Sequence, residues 1–334
     1  MKRIIFLVMI GLISSALVFA GGGQAAQQPA GRDVIGISKI VAHPALDAVE
    51  QGIQDELAAL GFDLAFDLQN ANGDPNTAAS IAAKFRSDRV RVAVGIATPT
   101  AQALVNAITD IPVIYSAVTD PLAAGLVERA DRGGPNVTGI SDLTPVKEQL
   151  QLLVQLQPSI RTIGHVFSSG EANAVRLAEL AEQAAKDLGL NFVTATVANS
   201  AEVRTAAQSI VNRVDAFYVS TDNTVVSALN ALVEVATGAG KPVMSADPSS
   251  AEEGGVLAAW GFDYYKMGRA TGRLIAEILR GASTESFGIQ YMTDPSDVNL
   301  LINMDVAARL GITVPQGLKA QAATIVEGGQ VIRQ

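Results

Sequence analysis

Stretches early in this chain resemble stretches further along it, in the same order, and that repetition limits the fold more than any other feature. Residues 34–62, VIGISKIVAHPALDAVEQGIQDELAALGF, run alongside residues 162–190, TIGHVFSSGEANAVRLAELAEQAAKDLGL; Gly36 pairs with Gly164 and Gly61 with Gly189 at one constant offset. RVRVAVGIATPTAQALV (89–105) then aligns with RVDAFYVSTDNTVVSAL (213–229), and IPVIYSAVTDP (111–121) echoes KPVMSADP (241–248). Three matches in the same order imply two lobes of one design.

Within each copy, apolar runs alternate with amphipathic helical patterns. Strands are expected at 34–41, 90–97, 112–118, 162–168, 216–221, 242–246 and 256–260, with helices such as LDAVEQGIQDELAALG and AVRLAELAEQAAKDLG between them. That alternation specifies an α/β fold with parallel sheets covered by helices. Ligands of such sheets gather beyond the carboxyl ends of the strands. The repeat therefore names the candidate positions in both lobes: His43 and Ser169 with Asn173 after the first strands, Thr98 with Thr100 and Thr221-Asp222-Asn223 after the second, Asp120 and Asp247 after the third. Two such edges facing each other make a cleft.

Composition removes several classes of function. With no cysteine among 334 residues, disulfides, thiolate metal sites and a cysteine nucleophile are excluded. The net charge of −9 argues against a nucleic-acid surface, and two histidines without HExxH argue against a histidine metal site. No GxGxxG follows the first strand, and no P-loop or GxSxG occurs, so neither an enzyme nor any cofactor is expected. The N-terminus, MKRIIFLVMIGLISSALVFA, has the basic, apolar and small-residue zones of a signal peptide cut after Ala20; a retained anchor is the alternative. Residues 21–32 read as a flexible leader.

HPALDAVEQG, TPTAQAL, VTDPLAAGLV, NVTGISD, VDAFYVSTDNTVVSAL, GFDYYKMGRATGRLIAEILRG and LLINMDVAARLGITVP together resemble the ABC-transporter substrate-binding proteins of the tryptophan/tyrosine type, over about residues 34–323. The resemblance implies a type I periplasmic-binding-protein fold with two Rossmann-like lobes and a three-stranded hinge. It implies permease and ATPase subunits as partners, a monomeric receptor, and an amino-acid ligand, an aromatic one first; a sugar, a nucleoside or a sensor's ligand are the alternatives. Many exported binders of this class carry a lipobox cysteine, and here Ala20-Gly21 stands instead, which points to free periplasmic residence. The expected lobes are 33–140 with 262–289 and 141–261 with 290–334, crossing near 135–141, 260–263 and 288–291.

Each candidate side chain also has a local role to fill. Thr98 reads as the cap of the helix TPTAQALVNAI, with Pro99 at its first turn, or as a carboxylate site. Asp222, its repeat partner, caps the next helix or takes a ligand ammonium. Asp120 and Asp247 each start an Asp-Pro turn, and Asp120 is favoured as the second ammonium contact. Asn173 is expected to touch ligand, Glu171 to face solvent, and His43 to line the cleft. Tyr115, Phe167, Tyr218, Trp260, Phe262 and Tyr264 are candidates for an apolar subsite.

Overall fold

The computed structural model describes residues 32–252 and 255–334; the expected signal peptide and nearly all of the leader lie outside them. The first pass of the chain lays down β1 (Val34–Lys39), β2 (Ala65–Asn70), β3 (Val92–Ile96), β4 (Val113–Val118) and β5 (Val137–Ser141). Between them run α1 (Pro44–Ala59), α2 (Pro75–Asp88) and α3 (Thr98–Ala107). After α4 (Val146–Leu156) the pattern repeats. The second pass contains β6 (Thr162–Ser168), α5 (Ala172–Asp187), β7 (Asn191–Val197), α6 (Val203–Ile210), β8 (Ala216–Val219), α7 (Asn223–Val226), α8 (Leu229–Gly238), β9 (Val243–Ser245), α9 (Pro248–Ala251) and β10 (Ala258–Phe262). The remainder is α10 (Tyr264–Leu279), β11 (Gln290–Tyr291), β12 (Val298–Asn303), α11 (Met304–Arg309), α12 (Gln316–Gln321), β13 (Thr324–Glu327) and β14 (Gln330–Arg333).

The repeat is visible in the sheets. One has the order β11-β5-β4-β3-β1-β2; the other is β14-β13-β12-β10-β9-β8-β6-β7. Strand for strand, β5-β4-β3-β1-β2 matches β10-β9-β8-β6-β7, all parallel. In both copies the first helix ends at a Leu-Gly pair, with Gly61 (φ 81°) and Gly189 (φ 71°) in the left-handed conformation that closes a helix. The conserved spacing of those glycines within the repeat thus has a backbone cause.

The two sheets exchange chain three times: after β5, between β10 and α10, and after β11. Although α10 follows a strand of the second sheet, it buries Tyr264, Met267, Leu274 and Ile275 in the core of the first. The second sheet carries one apolar core on each face, one under α4, α5 and α11, the other under α6 and α8. Edge strands β2 and β7 escape the sequence reading because one side of each is open, so polar residues break the apolar run.

Candidate functional site

Between the carboxyl ends of the two sheets lies a narrow cavity with free space of about 10 Å³. From the first lobe, His43 enters at the N-terminus of α1, followed by Ala45 and Leu46, with Ala117 at the end of β4. From the second come Asn173, Thr221, Asp222, Asn223, Val226 and Asp247. Asp142 and Tyr264, just after β5 and β10, form its wall at two of the crossings. Six of the sequence candidates therefore meet in one cavity: His43, Asn173, Thr221, Asp222, Asn223 and Asp247.

Asp222 is fully buried and acts as a double tie. Its Oδ1 accepts the Val225 N–H at 3.0 Å, capping α7, and its Oδ2 accepts the Ser168 N–H at 2.6 Å, joining the end of β6. Burial, then the nearby Glu171 charge, push its pKa up to about 7. Asp247 caps α9 through Oδ1, which accepts from Ser249 and Ser250; its buried Oδ2 has no partner. Asp142 accepts from Thr119 Oγ1 at 3.2 Å and from the Tyr264 hydroxyl at 3.0 Å, yet burial still raises its pKa to about 6.

The neighbouring polar atoms are unpaired in a consistent way. Asn173 Nδ2 donates to the Thr221 carbonyl at 3.2 Å, which leaves its Oδ1 free; Thr221 Oγ1 is likewise buried without a partner, and the His43 ring, buried beside Asn223, makes no close hydrogen bond. Burial lowers the His43 pKa, against the opposing pull of Asp247. Buried polar atoms without partners are uncommon and call for one. No lysine or arginine lines the cavity. The cavity is lined by three carboxylates, an imidazole whose protonation burial disfavours, and several free acceptors, groups that can receive hydrogen bonds from a ligand's donors.

The structure places five of these residues otherwise than the sequence suggests. Thr98 is not the cap of its helix: Ala97 is, at φ 77°, and the buried Thr98 hydroxyl has no partner and does not line the cavity. Thr100 bonds back to the Ile96 and Ala97 carbonyls, as a helical threonine does, and is occupied there. Asp120 faces away from the cavity, because Ala123 N–H and Arg176 Nε take its two oxygens. Glu171 does not face solvent; it is buried, holding Asn223 Nδ2 at 2.6 Å and the Thr224 N–H and hydroxyl. Ser169 is exposed, outside the cavity.

Of the aromatic candidates only Tyr264 reaches the cavity. Tyr115 and Tyr218 are core residues, Phe167 stacks on His165, Phe262 is buried, and Trp260 lines a separate outer groove with Leu152 and Leu300. Asp142 was not singled out in the sequence, where it is one more acid in GISDLTP. Its signal was its place directly after β5, at a crossing. Ala97 and Ala117, both at positive φ, end β3 and β4 at the cleft, where backbone strain commonly marks a site.

Residues 34–326 match the sequence profile of the ABC transporter substrate binding protein family. A tyrosine-binding protein of Clostridioides difficile (strain R20291) is 34% identical over 322 residues, 92% of each chain. A Streptococcus pneumonia ABC domain solved with L-Trp is 33% identical, with TM-score 0.84, over 89% of this chain and 100% of that one. The ligand-free, open structure of a Clostridium difficile substrate-binding protein with adhesive properties is 36% identical but has TM-score 0.64, over 85% and 96%. The two-lobed architecture is that of type I periplasmic binding proteins. The chain belongs to the ABC transporter substrate-binding proteins, a family of solute receptors and not of enzymes.

Proposed function

We propose that this protein is the extracytoplasmic receptor of an ABC importer and binds an L-α-amino acid, an aromatic one first, by closing its lobes over it. One observation carries the reading: buried carboxylates and unpaired acceptors, with no lysine or arginine among the described lining residues, surround the cavity. The ligand ammonium sits among Asp247 Oδ2, Asn173 Oδ1 and Asp142, with Asp222 behind them tying β6 to α7. The ligand carboxylate goes to Thr221, His43 and the start of α1. That helix has no side-chain cap, and its first-turn residues Ala45 and Leu46 line the cavity. Leu46, Val226 and Tyr264 supply apolar and aromatic wall for the side chain.

The relatives named for tyrosine and solved with L-Trp support the ligand class. Similar identities but a lower structural overlap with the ligand-free open relative support lobes drawn together here. The moving bodies are residues 33–140 with 262–289 and 141–261 with 290–334. On this reading the mature chain is a periplasmic monomer that starts near Gly21 and delivers cargo to permease and ATPase subunits.

Calorimetric titration of the mature chain with L-tryptophan, L-tyrosine and L-phenylalanine, beside glucose and ribose, tests the ligand class. Saturable heat from an aromatic amino acid is expected. Binding of a sugar with none from any amino acid overturns the reading.

A further inference from the structure

Asp120 has a different use from the ligand contact its position suggested. Its Oδ1 accepts the Ala123 N–H at 3.0 Å, which anchors the carboxylate on the turn after β4, in the first lobe. Its Oδ2 faces α5 of the second lobe, where Arg176 Nε donates at 3.1 Å. The Arg176 guanidinium also meets Glu179 at 3.5 Å, from one turn along the same helix. Neither Asp120 nor Arg176 lines the cavity. Their side chains are 20% and 38% exposed, so water and salt reach the pair. Two charges placed on different lobes, one held by its own turn, join bodies that share no helix at that point.

We propose that Asp120 and Arg176 form a clasp across the cleft, and that these positioning residues set how long the lobes stay closed on a ligand. The clasp rests on the receptor reading above. A cross-lobe contact made on closing slows release and leaves capture nearly unchanged, since binding differences within one site fall mainly on the off-rate. A half-exposed ion pair contributes modestly and is screened by salt.

The experiment uses Arg176→Gln and Asp120→Asn, singly and together, in the mature chain; Asn keeps the acceptor for Ala123. Stopped-flow release of L-tryptophan should quicken about two- to five-fold in each single variant, the scale of a surface ion pair. Association should hardly change, the double variant should release no faster than either single one, and the difference should vanish at about 1 M salt. The absence of cysteine permits a second readout without ligand. Spin labels on Ser80→Cys and Ser200→Cys, on the first and second lobes, should shift toward longer distances when the clasp is removed. Additive single effects, or release rates and label distances that both stay at wild-type values, overturn the proposal. If neither L-tryptophan nor L-tyrosine binds, the receptor reading falls, and the label distances alone decide the clasp.

Discussion

Among the acidic side chains at this cleft, Asp247 has one oxygen committed to a helix cap and one with nothing to bind. That division gives a clean substitution. Asp247→Asn retains a carbonyl oxygen for Ser249 and Ser250, so the melting temperature without ligand should change little. The charge facing the ammonium is lost, which typically costs about 2–5 kcal/mol, roughly 30-fold or more in affinity. Calorimetry with L-tryptophan checks it; unchanged affinity would remove Asp247 from the site. Asp222 gives a pH prediction. Its folded pKa, about 7, stands above the 3.8 of an unburied aspartate, so between about pH 4 and 7 the unfolded chain has lost a proton that the native one keeps. Its contribution to stability therefore falls as pH rises through that window. His165, fully buried and held near a pKa of 4, works in the opposite sense, so the test is a difference. The melting temperature of Asp222→Asn relative to wild type should climb from pH 5 to pH 8. A difference that stays constant across that range would show that Asp222 is not protonated by its surroundings.

Helices α1 and α10 bring two walls of the cavity together, His43 and Leu46 on one and Tyr264 on the other. They meet backbone to backbone through glycines. A methyl group on Gly268 would come within 2.3 Å of the Val49 carbonyl, and one on Gly52 within 2.4 Å of the Tyr265 carbonyl. Gly268→Ala should destabilise the protein by about 1–3 kcal/mol, the usual cost of overpacking a well-filled contact. Urea denaturation reads this directly, and wild-type stability would show that the helices can part freely. Gly268 and Gly272, four positions apart, share one face of α10. Its partner was not readable, because α1 lies more than 200 positions away. Short elements were missed for a related reason: α7 and α9 have four residues each, too few for a periodic signal, and take their form from Asp222 and Asp247 caps.

For the whole molecule, the reading of a closing receptor makes a thermodynamic demand. L-tryptophan at 100 times its dissociation constant should add about 2.7 kcal/mol to unfolding stability, and glucose nothing. Small-angle scattering should show contraction on adding L-tryptophan to ligand-free protein; an unchanged radius of gyration would argue against lobe movement. Export has its own measurement. The protein released by osmotic shock should begin near Gly21 by mass spectrometry, and recovery of only the uncut chain in membranes would contradict periplasmic residence.

Periodicity, the repeat and the punctuation of glycine and proline were enough to give two lobes, their parallel strands and the strand ends that meet at the cavity. These are short-range properties, encoded by residues that touch within one βα unit. The repeat even marked Asp120 and Asp247 as equivalent, each an Asp-Pro pair after a third strand. Their fates differ because the lobes face each other through unlike surroundings: Asp247 lines the cavity, and Asp120 meets Arg176. Asp142 and Tyr264 join the site from two separate crossings, 122 positions apart along the chain and 3.0 Å apart in space. No local pattern records such a meeting. It follows from the mutual orientation of the lobes, set by the crossing segments and by α10 returning to the first core, and those contacts exist only once the chain has folded.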